Sequence, residues 1–221
     1  MSKGSALVIG VGPGLGLALA EAFAGDGHPV ALFGRDAARL DKYASELTAQ
    51  GHTARAYSVD AADPEGLKAA LTRAADELGT PPDVLVYNAA QLRADSPTEL
   101  DAPEFAHTLA VNVTGAVVAA QTVLPLLRDG RGSLLFTGGG LSLDPAAEYT
   151  SLSVGKAALR AYVQALHKQQ QGSEVHVSTV TIGGFIGGGD PRFAPETLAA
   201  AYLDLHRQPQ DQWQAELVYA S

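Results

Sequence analysis

A glycine-rich turn close to the N-terminus constrains the fold more than any other feature of the sequence. An apolar run at residues 6–9 predicts a buried strand, and a helical pattern of apolar residues begins at Leu15. Glycines lie between and beside these two elements, at Gly10, Gly12, Gly14 and Gly16. A strand, a glycine-rich turn and a helix in this order are typical of the first half of a dinucleotide-binding unit. A turn without any ligand is the alternative that this segment alone leaves open.

The glycines of the turn have distinct predicted roles. Gly10 permits the tight turn, because glycine tolerates positive φ. Gly12 and Gly14 let the backbone approach a pyrophosphate, whose charge the N-terminus of the helix favours. Gly16 lets the helix pack closely on the strand. The predicted cofactor-binding residues of the turn are Gly10, Gly12, Gly14, Leu15 and Gly16.

Strand and helix patterns alternate along the rest of the chain. Strands are predicted at residues 6–9, 29–33, 52–59, 83–87, 132–136, 175–182 and 215–219. Several are apolar without alternation, as in strands buried on both faces, and the two longest helices are predicted at 102–127 and 148–171. We therefore expect a Rossmann-type doubly wound parallel sheet, a three-layer α/β/α architecture, in a single domain over residues 1–221.

Composition and charge narrow the class of function. The chain carries 24 Asp and Glu against 15 Lys and Arg, and its formal net charge of −9 argues against binding to nucleic acid or an anionic membrane. It has no cysteine, which excludes disulfides and thiolate zinc sites. The histidines are scattered, so no metal site is predicted. The start lacks a long apolar signal core and the apolar runs are short, so we expect a cytoplasmic protein without a membrane span.

The end of the second predicted strand bears on the choice of dinucleotide. NAD-binding proteins usually place Asp or Glu there to hold the ribose hydroxyls, whereas this chain has Gly34 followed by Arg35. Without a carboxylate there is no repulsion against a 2′-phosphate, and Arg35 can form a charge-assisted pair with it. The sequence therefore favours NADP(H) over NAD(H). The alternative is that Arg35 is a solvated turn residue.

Several motifs together resemble the short-chain dehydrogenase/reductase family. They are the spacing of Gly10, Gly14 and Gly16, the run Asn88-Ala89-Ala90, the segment 109–115 with Asn112 at its centre, and Lys156 on a later helix. The resemblance extends over nearly the whole chain, with departures at Ile9, Tyr87 and Ala90. It implies binding of a nicotinamide dinucleotide and chemistry on a small-molecule substrate.

The resemblance also implies roles for individual residues. Asp60 would accept a hydrogen bond from the adenine amino group, although a helix cap or turn is the alternative for it. Asn88 would tie neighbouring strands and, with Ala89, form the floor of the adenosine ribose site. Asn112 would break its helix locally and hold a water molecule of a proton relay. Lys156 would hydrogen-bond the hydroxyls of the nicotinamide ribose.

The catalytic groups that the resemblance implies are incomplete. The family uses a Tyr four residues before the lysine and a Ser about thirteen residues before that Tyr, and the corresponding positions here are Leu152 and Gly139. Leucine cannot donate a proton. Tyr149 is the predicted substitute if the helix already begins there, with a mouth-lining or interface aromatic as the alternative. Ser142 and Ser151 are further candidates for orienting a substrate.

A glycine-rich segment follows the sixth predicted strand. By the resemblance, Gly184 and the backbone of Ile186 meet the nicotinamide carboxamide. The density of glycines predicts a mobile loop that orders on binding. Residues 183–212 form the predicted substrate lid. Its apolar candidates for lining the substrate site are Phe193, Leu198 and Tyr202.

Three hypotheses for function follow from these patterns. The first is an NADP(H)-binding oxidoreductase with an altered active site, which transfers hydride to or from a small carbonyl-type, enone or imine substrate. The second is a catalytically inactive dinucleotide-binding protein of the same fold, with a regulatory or scaffold role. The third is a fold that serves assembly alone. Because the long fourth and fifth helices often pair subunits in the family, we expect a homodimer or homotetramer.

Overall fold

One parallel sheet forms the centre of the protein. The computed structural model describes residues 3–219, so residues 1, 2, 220 and 221 of the predicted domain lie outside it. The strands are β1 (Ser5–Ile9), β2 (Val30–Gly34), β3 (Ala54–Ser58), β4 (Pro82–Tyr87), β5 (Arg131–Thr137), β6 (Glu174–Ile182) and β7 (Glu216–Tyr219). They are arranged in the order β3-β2-β1-β4-β5-β6-β7, and each neighbouring pair is parallel.

Helices cover both faces of the sheet. They are α1 (Leu15–Gly25), α2 (Ala37–Ala49), α3 (Pro64–Glu77), α4 (Ala102–Leu109), α5 (Gly115–Val123), α6 (Thr150–Gln169) and α7 (Pro195–Arg207). Apolar side chains of α1, α2 and α7 pack on one face, and those of α3, α5 and α6 pack on the other. The predicted three-layer, doubly wound α/β fold in a single domain is confirmed.

The order of the strands creates a crevice at the carboxyl edge of the sheet. β1 lies between β2 and β4, so the chain first builds the sheet toward one edge and then returns to extend it on the other side of β1. The loops that follow β1 and β4 part at this switch point, where ligands of doubly wound sheets bind. The loop after β1 carries the glycine turn, and the loop after β4 begins at Asn88.

The start of α6 differs from the prediction. The helix begins at Thr150 rather than at residue 148, because Tyr149 has φ −139° and ψ 45° and serves as the N-cap. The Asp95 carboxylate from the loop after β4 accepts a hydrogen bond from the Ser151 amide at 3.1 Å and satisfies this helix end. The condition set for Tyr149 as a substitute, that the helix already begins there, is therefore not met.

The predicted long helix after residue 102 is interrupted. A π-helical turn, Ala110–Thr114, separates α4 from α5, so the local break expected at Asn112 is present. A 3₁₀ turn at Leu124–Leu126 ends the helical run around Pro125. Wide π-helical turns leave backbone carbonyls without their usual helical partner, and such carbonyls need another donor.

This helical run also corrects the expectation that every apolar run is short. The segment Ala102–Leu126 is 25 residues long and, by length and composition alone, apolar enough to cross a membrane. Core helices pass the same test, and 44% of its apolar window is buried. Its α5 portion packs on α3 and β4, so packing against the sheet accounts for its apolar character.

Tyr87, at the end of β4, fixes the π-helical turn to the sheet. Its ring is fully buried, and its hydroxyl donates to the backbone carbonyl of Val111 inside the turn. Burial raises the pKa of the Tyr87 hydroxyl, so the group keeps the proton that it donates. Gly115 lies directly against this hydroxyl, and a Cβ there would overlap both the Tyr87 oxygen and the carbonyl oxygen of Ala61.

Gly115→Ala is expected to destabilise the protein by about 1–3 kcal/mol. Alanine favours a helix over glycine by ~1 kcal/mol, but the added methyl group would force α5 away from β4. The measurement is the free energy of unfolding from a urea titration. Gly25→Ala at the end of α1 is the matched control, since a Cβ there meets no heavy atom within 4 Å. Equal changes in the two variants would contradict the packing of α5 on β4.

Candidate functional site

A cavity of about 1250 Å³ lies at the carboxyl edge of the sheet. It brings together the ends of β1, β2, β3, β4 and β6 and the first turns of α6. The predicted site residues that line it are Gly10, Gly12, Gly14, Leu15, Arg35, Asp60, Asn88, Ala89, Tyr149, Lys156, Gly184 and Ile186. Gly16 and Asn112 do not line it. The fold thus gathers nearly the whole predicted set around one space.

The glycine turn leaves its backbone open toward the cavity. A Cβ on Gly12 or Gly14 would meet no heavy atom within 4 Å, so a ligand can approach the backbone there. Gly14, with φ 131°, is the N-cap of α1, and no side chain caps this helix end. The first amides of α1 can therefore bind an anion. This geometry fits the pyrophosphate of a dinucleotide.

Gly10 and Gly16 are required for close packing within the turn. Gly10 has φ 88°, and a Cβ there would overlap the backbone of Ala89. A Cβ on Gly16 would overlap the carbonyl oxygen of Gly10. Gly16 therefore supports the turn from the protein side, which is why it does not line the cavity.

Asn88 joins the glycine turn to the sheet. Its backbone amide donates to Ile9 at 2.8 Å, and its side-chain amide donates to the Gly10 carbonyl at 3.0 Å. Its side-chain oxygen accepts from the Thr137 hydroxyl at 2.9 Å, and Thr137 accepts in turn from the Tyr202 hydroxyl at 2.8 Å. Thr137 is not among the site residues predicted from the sequence. Its position directly after the fifth predicted strand was the available signal.

Two arginines lie at the end of the cavity beside β2. Arg35 is exposed directly after β2, and Arg39 follows in the first turn of α2, where it pairs with Asp36 at 3.1 Å. Arg39 is not among the site residues predicted from the sequence, although it lies only four positions after Arg35. Asp60 lines the same region, and one carboxylate oxygen accepts from the Ala62 amide at 2.9 Å, so it also stabilises its own turn.

Lys156 is a buried cation in the α6 wall of the cavity. It is 7% exposed, and its ammonium donates to the backbone carbonyl of Thr137 at 2.7 Å. Burial lowers the pKa of Lys156 from 10.5 to about 8, because the charged form loses its hydration. An ammonium carries three donors, so two remain for a ligand.

Two neighbours of Lys156, Gly139 and Leu152, bring no hydroxyl group to the cavity. Gly139 is extended, with φ −162°, and a Cβ there would lie 3.7 Å from Cγ of Lys156 in ordinary van der Waals contact. Leu152, one turn before Lys156, is buried and lines the cavity. These two positions therefore offer Lys156 no hydroxyl partner, and position 139 has room for a side chain.

The other hydroxyl candidates are placed differently from one another. Tyr149 lines the cavity from its N-cap position, half-buried. Neither Ser142 nor Ser151 lines the cavity, and both hydroxyl oxygens are buried. Orienting a substrate requires contact with the cavity, so these two serines do not meet the condition for the predicted role.

Asn112 lies in the π-helical turn, outside the cavity. Its side-chain oxygen accepts from the Gln91 amide at 2.7 Å, and its side-chain nitrogen donates to the Gln91 carbonyl at 3.4 Å. Gly155 of α6 packs against it so closely that a Cβ would lie 2.9 Å from the Asn112 side chain. Asn112 therefore holds the loop after β4 beside α6. Its role in a water relay stays a prediction.

The segment predicted as a lid divides into residues that line the cavity and residues that lie in the core. Gly184 and Ile186 line the cavity, as expected. The residues expected to line a substrate site, however, are buried in the core and do not line the cavity: Phe193, Leu198 and Tyr202. The reason is that α7 packs on α1, which directs its apolar face into the core.

Buried histidines lie away from the cavity. His28, His176 and His206 are largely enclosed, and burial lowers the pKa of each imidazole. None of them lines the cavity. Within residues 3–219, no group of three His, Cys, Asp or Glu side chains is placed to hold a metal ion.

Comparison with known proteins extends these observations. A family model described as short chain dehydrogenase matches residues 5–187. The 2,3-dihydro-2,3-dihydroxybenzoate dehydrogenase of Bacillus subtilis (strain 168) is 30% identical over 162 residues, which cover 73% of this chain and 62% of that protein. This chain thus spans less than two thirds of that relative.

Solved structures resemble the chain over nearly its whole length. A short chain dehydrogenase from Burkholderia cenocepacia J2315 in complex with NADP is 28% identical, with a TM-score of 0.86, and the match covers 97% of this chain and 95% of that one. An alcohol dehydrogenase from the archaeon Thermococcus sibiricus, complexed with 5-hydroxy-NADP, is 27% identical, with a TM-score of 0.87 and coverage of 99% and 98%. The family match, the shared fold and the arrangement of the cavity agree, and the chain belongs to the short chain dehydrogenase family.

Proposed function

We propose that this chain is an NADP(H)-dependent oxidoreductase whose active site differs from the family pattern at Gly139 and Leu152. The reaction would transfer hydride to or from a small carbonyl-type, enone or imine substrate. The observation that carries the proposal is the cavity, which the glycine turn, Arg35, Asn88 and Lys156 line together. Related structures that hold NADP or 5-hydroxy-NADP support it.

The choice of NADP(H) over NAD(H) rests on the charges beside β2. β2 ends in Gly34, so no carboxylate stands at the position that usually holds the ribose hydroxyls of NAD. Arg35 and Arg39 both line this end of the cavity and would pair with a 2′-phosphate. The nearby Asp36 carboxylate is paired with Arg39, which reduces its repulsion of a phosphate.

The described residues also suit the remaining parts of a dinucleotide. Asp60 and Ala89 would contact the adenosine, and the backbone of the glycine turn would bind the pyrophosphate. Lys156 would donate to the hydroxyls of the nicotinamide ribose, and the backbone at Gly184 and Ile186 would meet the carboxamide. When bound, the nicotinamide supplies or accepts the hydride.

Hydride transfer is accompanied by transfer of a proton. Neither Gly139 nor Leu152, two residues next to Lys156, has a side chain that could donate this proton. A positioned general acid or base contributes ~10²–10⁴ in rate, or roughly 3–5 kcal/mol of barrier. Tyr149 lines the cavity, so we assign proton transfer to Tyr149 or to water. A substrate with an activated C=C or C=N bond would tolerate this arrangement better than a ketone.

A catalytically inactive dinucleotide-binding protein with a regulatory or scaffold role is the second candidate. One observation favours it: neither Leu152 nor Gly139 offers a hydroxyl group next to the Lys156 side chain. Dinucleotide binding alone would account for the glycine turn, Arg35 and Asn88. Turnover therefore separates the two candidates, and binding does not.

We also propose that the chain self-associates into a homodimer or homotetramer. On α6, Val154 is 41% exposed, and Ala157 and Ala161 are exposed on the same helix. An exposed helix face of small apolar residues suits close packing against the same helix of a second copy. Of the predicted lid, residues 183–187 line the cavity and remain the proposed lid over a small-molecule substrate, whereas α7 packs into the core.

NADPH is expected to bind at least about tenfold more tightly than NADH, since a charge-assisted pair with the 2′-phosphate is worth ~1.5–3 kcal/mol. Separate titrations of the two dinucleotides, followed by fluorescence or heat, measure this ratio. Arg35→Ala should reduce it. Arg55→Ala on β3 is the control, because Arg55 is exposed and does not line the cavity.

Binding of neither dinucleotide would exclude both candidate functions. A preference for NADPH of less than tenfold, or the same loss in both arginine variants, would remove the role assigned to Arg35.

The burial of Lys156 should make the free energy of unfolding depend on pH. Between about pH 8 and 10.5 the unfolded chain holds a proton that the folded chain has released, so the stability of the wild type should rise with pH across this window. Lys156→Met should lack that rise, which is on the order of 3 kcal/mol in total. Urea titrations at pH 7 to 10 measure it. Lys168→Met, at the exposed end of α6, should keep the wild-type slope, and parallel curves for all three proteins would contradict the burial of the ammonium.

Turnover of NADPH with a panel of ketones, enones and imines tests the enzymatic candidate. The wild type should consume NADPH with enones or imines faster than with ketones, and Tyr149→Phe should lose most of that rate. The double variant Gly139→Ser with Leu152→Tyr should gain ketone reduction by ~10²–10⁴-fold, because it supplies a general acid beside Lys156.

The matched control for the gain in ketone reduction is the double variant Gly139→Ser with Leu152→Phe, which adds similar bulk without the phenolic hydroxyl. If this control gains as much as the tyrosine variant, the missing hydroxyl does not limit the reaction. Absence of turnover in the wild type on every panel member, together with NADPH binding, would favour the inactive candidate.

A further inference from the structure

A series of side-chain hydrogen bonds, here called the Tyr202 relay, runs from α7 to the glycine turn. The Tyr202 hydroxyl donates to Oγ1 of Thr137 at 2.8 Å, and this Oγ1 donates to Oδ1 of Asn88 at 2.9 Å. Nδ2 of Asn88 donates to the carbonyl oxygen of Gly10 at 3.0 Å. Tyr202 is fully buried and Thr137 is 6% exposed, so water does not compete for the hydrogen bond between these two side chains.

The carbonyl oxygen of Gly10 determines which group donates and which accepts in each hydrogen bond of the relay. The carbonyl oxygen of Gly10 only accepts, so the amide nitrogen of Asn88 must face it. The side-chain oxygen of Asn88 then faces Thr137 and also only accepts, so the Thr137 hydroxyl must donate to it. The Thr137 oxygen is left as an acceptor, and Tyr202 supplies its donor.

Tyr202 can influence the cavity only through other residues, because it does not line it. Thr137 connects both ends of the site: its hydroxyl belongs to the relay, and its backbone carbonyl accepts from the Lys156 ammonium at 2.7 Å. Burial raises the pKa of the Tyr202 hydroxyl, which therefore remains a donor at neutral pH.

We propose that Tyr202 is a positioning residue for the glycine turn, acting through Thr137 and Asn88. Without the Tyr202 hydroxyl, the Thr137 oxygen loses its donor, and the Thr137 hydroxyl is free to rotate toward other acceptors. The Asn88 amide then loses the contact that fixes its orientation. A reversed amide would place its oxygen against the Gly10 carbonyl and displace the turn. The effect on the turn is independent of ligand, whereas the effect on dinucleotide affinity rests on the proposed function.

The test compares Tyr202→Phe with Tyr57→Phe. Each removes one phenolic hydroxyl from a buried tyrosine, but Tyr57 donates to Glu77 at 3.0 Å on the other face of the sheet and does not line the cavity. The first readout is hydrogen exchange of the Val11 and Leu17 amides in the protein without ligand. These amides donate to backbone carbonyls of β2 and of the turn at 2.9 and 3.1 Å. The second readout is the Kd for NADPH.

Tyr202→Phe should accelerate exchange of these amides by about fivefold relative to Tyr57→Phe and raise the Kd for NADPH by a similar factor, as expected for one lost hydrogen bond. Thr137→Val should have a larger effect, since it removes two hydrogen bonds of the relay, and Thr137→Ser should restore wild-type behaviour. Both tyrosine variants should lose similar thermal stability, which separates positioning from general destabilisation.

Equal rates of hydrogen exchange at the Val11 and Leu17 amides in Tyr202→Phe and Tyr57→Phe would overturn the positioning role of Tyr202. Faster exchange with an unchanged Kd would overturn its link to dinucleotide affinity. If the wild type binds neither NADPH nor NADH, the proposed function fails, while the exchange rates still decide whether Tyr202 positions the turn.

Discussion

The site depends on the contact between the glycine turn and the loop after β4. Gly16 packs against the carbonyl oxygen of Gly10, and Gly10 packs against the backbone of Ala89, so neither glycine has room for a side chain. Asn88 closes this contact by hydrogen bonds to Ile9 and Gly10. Because the two loops flank the switch point of the sheet, their contact fixes the backbone that faces the cavity. Arg35 and Lys156 line the same cavity as that backbone.

The cavity joins two regions of different chemistry. One region combines open backbone amides with the Arg35 guanidinium, which suits an anionic ligand. The other surrounds Lys156 with Leu152 and the bare backbone at Gly139, so its charge is buried with few polar partners. Burying an ammonium in this way sacrifices stability, as functional sites commonly do. The contrast between the two regions is the physical basis for proposing dinucleotide binding with altered proton chemistry.

The sequence predicted the fold well because buried strands form short continuous apolar runs and amphipathic helices have a clear periodic pattern. Local features decided by distant contacts were less predictable. Tyr149 became an N-cap because Asp95, from another loop, satisfies the start of α6. Tyr202 could be placed on a helix from its sequence, but only the packing of α7 on α1 shows that it faces the core rather than a substrate. The partner of Asn112, Gln91, likewise lies on a loop whose path no pattern indicated.

A crystal structure of the complex with NADPH would test the proposed mode of dinucleotide binding. We expect the pyrophosphate on the amides of the glycine turn, the 2′-phosphate within hydrogen-bonding distance of Arg35, and the Lys156 ammonium on the nicotinamide ribose. We also expect that neither the side chain at position 139 nor the one at position 152 donates to a substrate analogue bound beside the nicotinamide. A dinucleotide bound outside the cavity, or a 2′-phosphate directed away from Arg35 into solvent, would contradict this mode of binding.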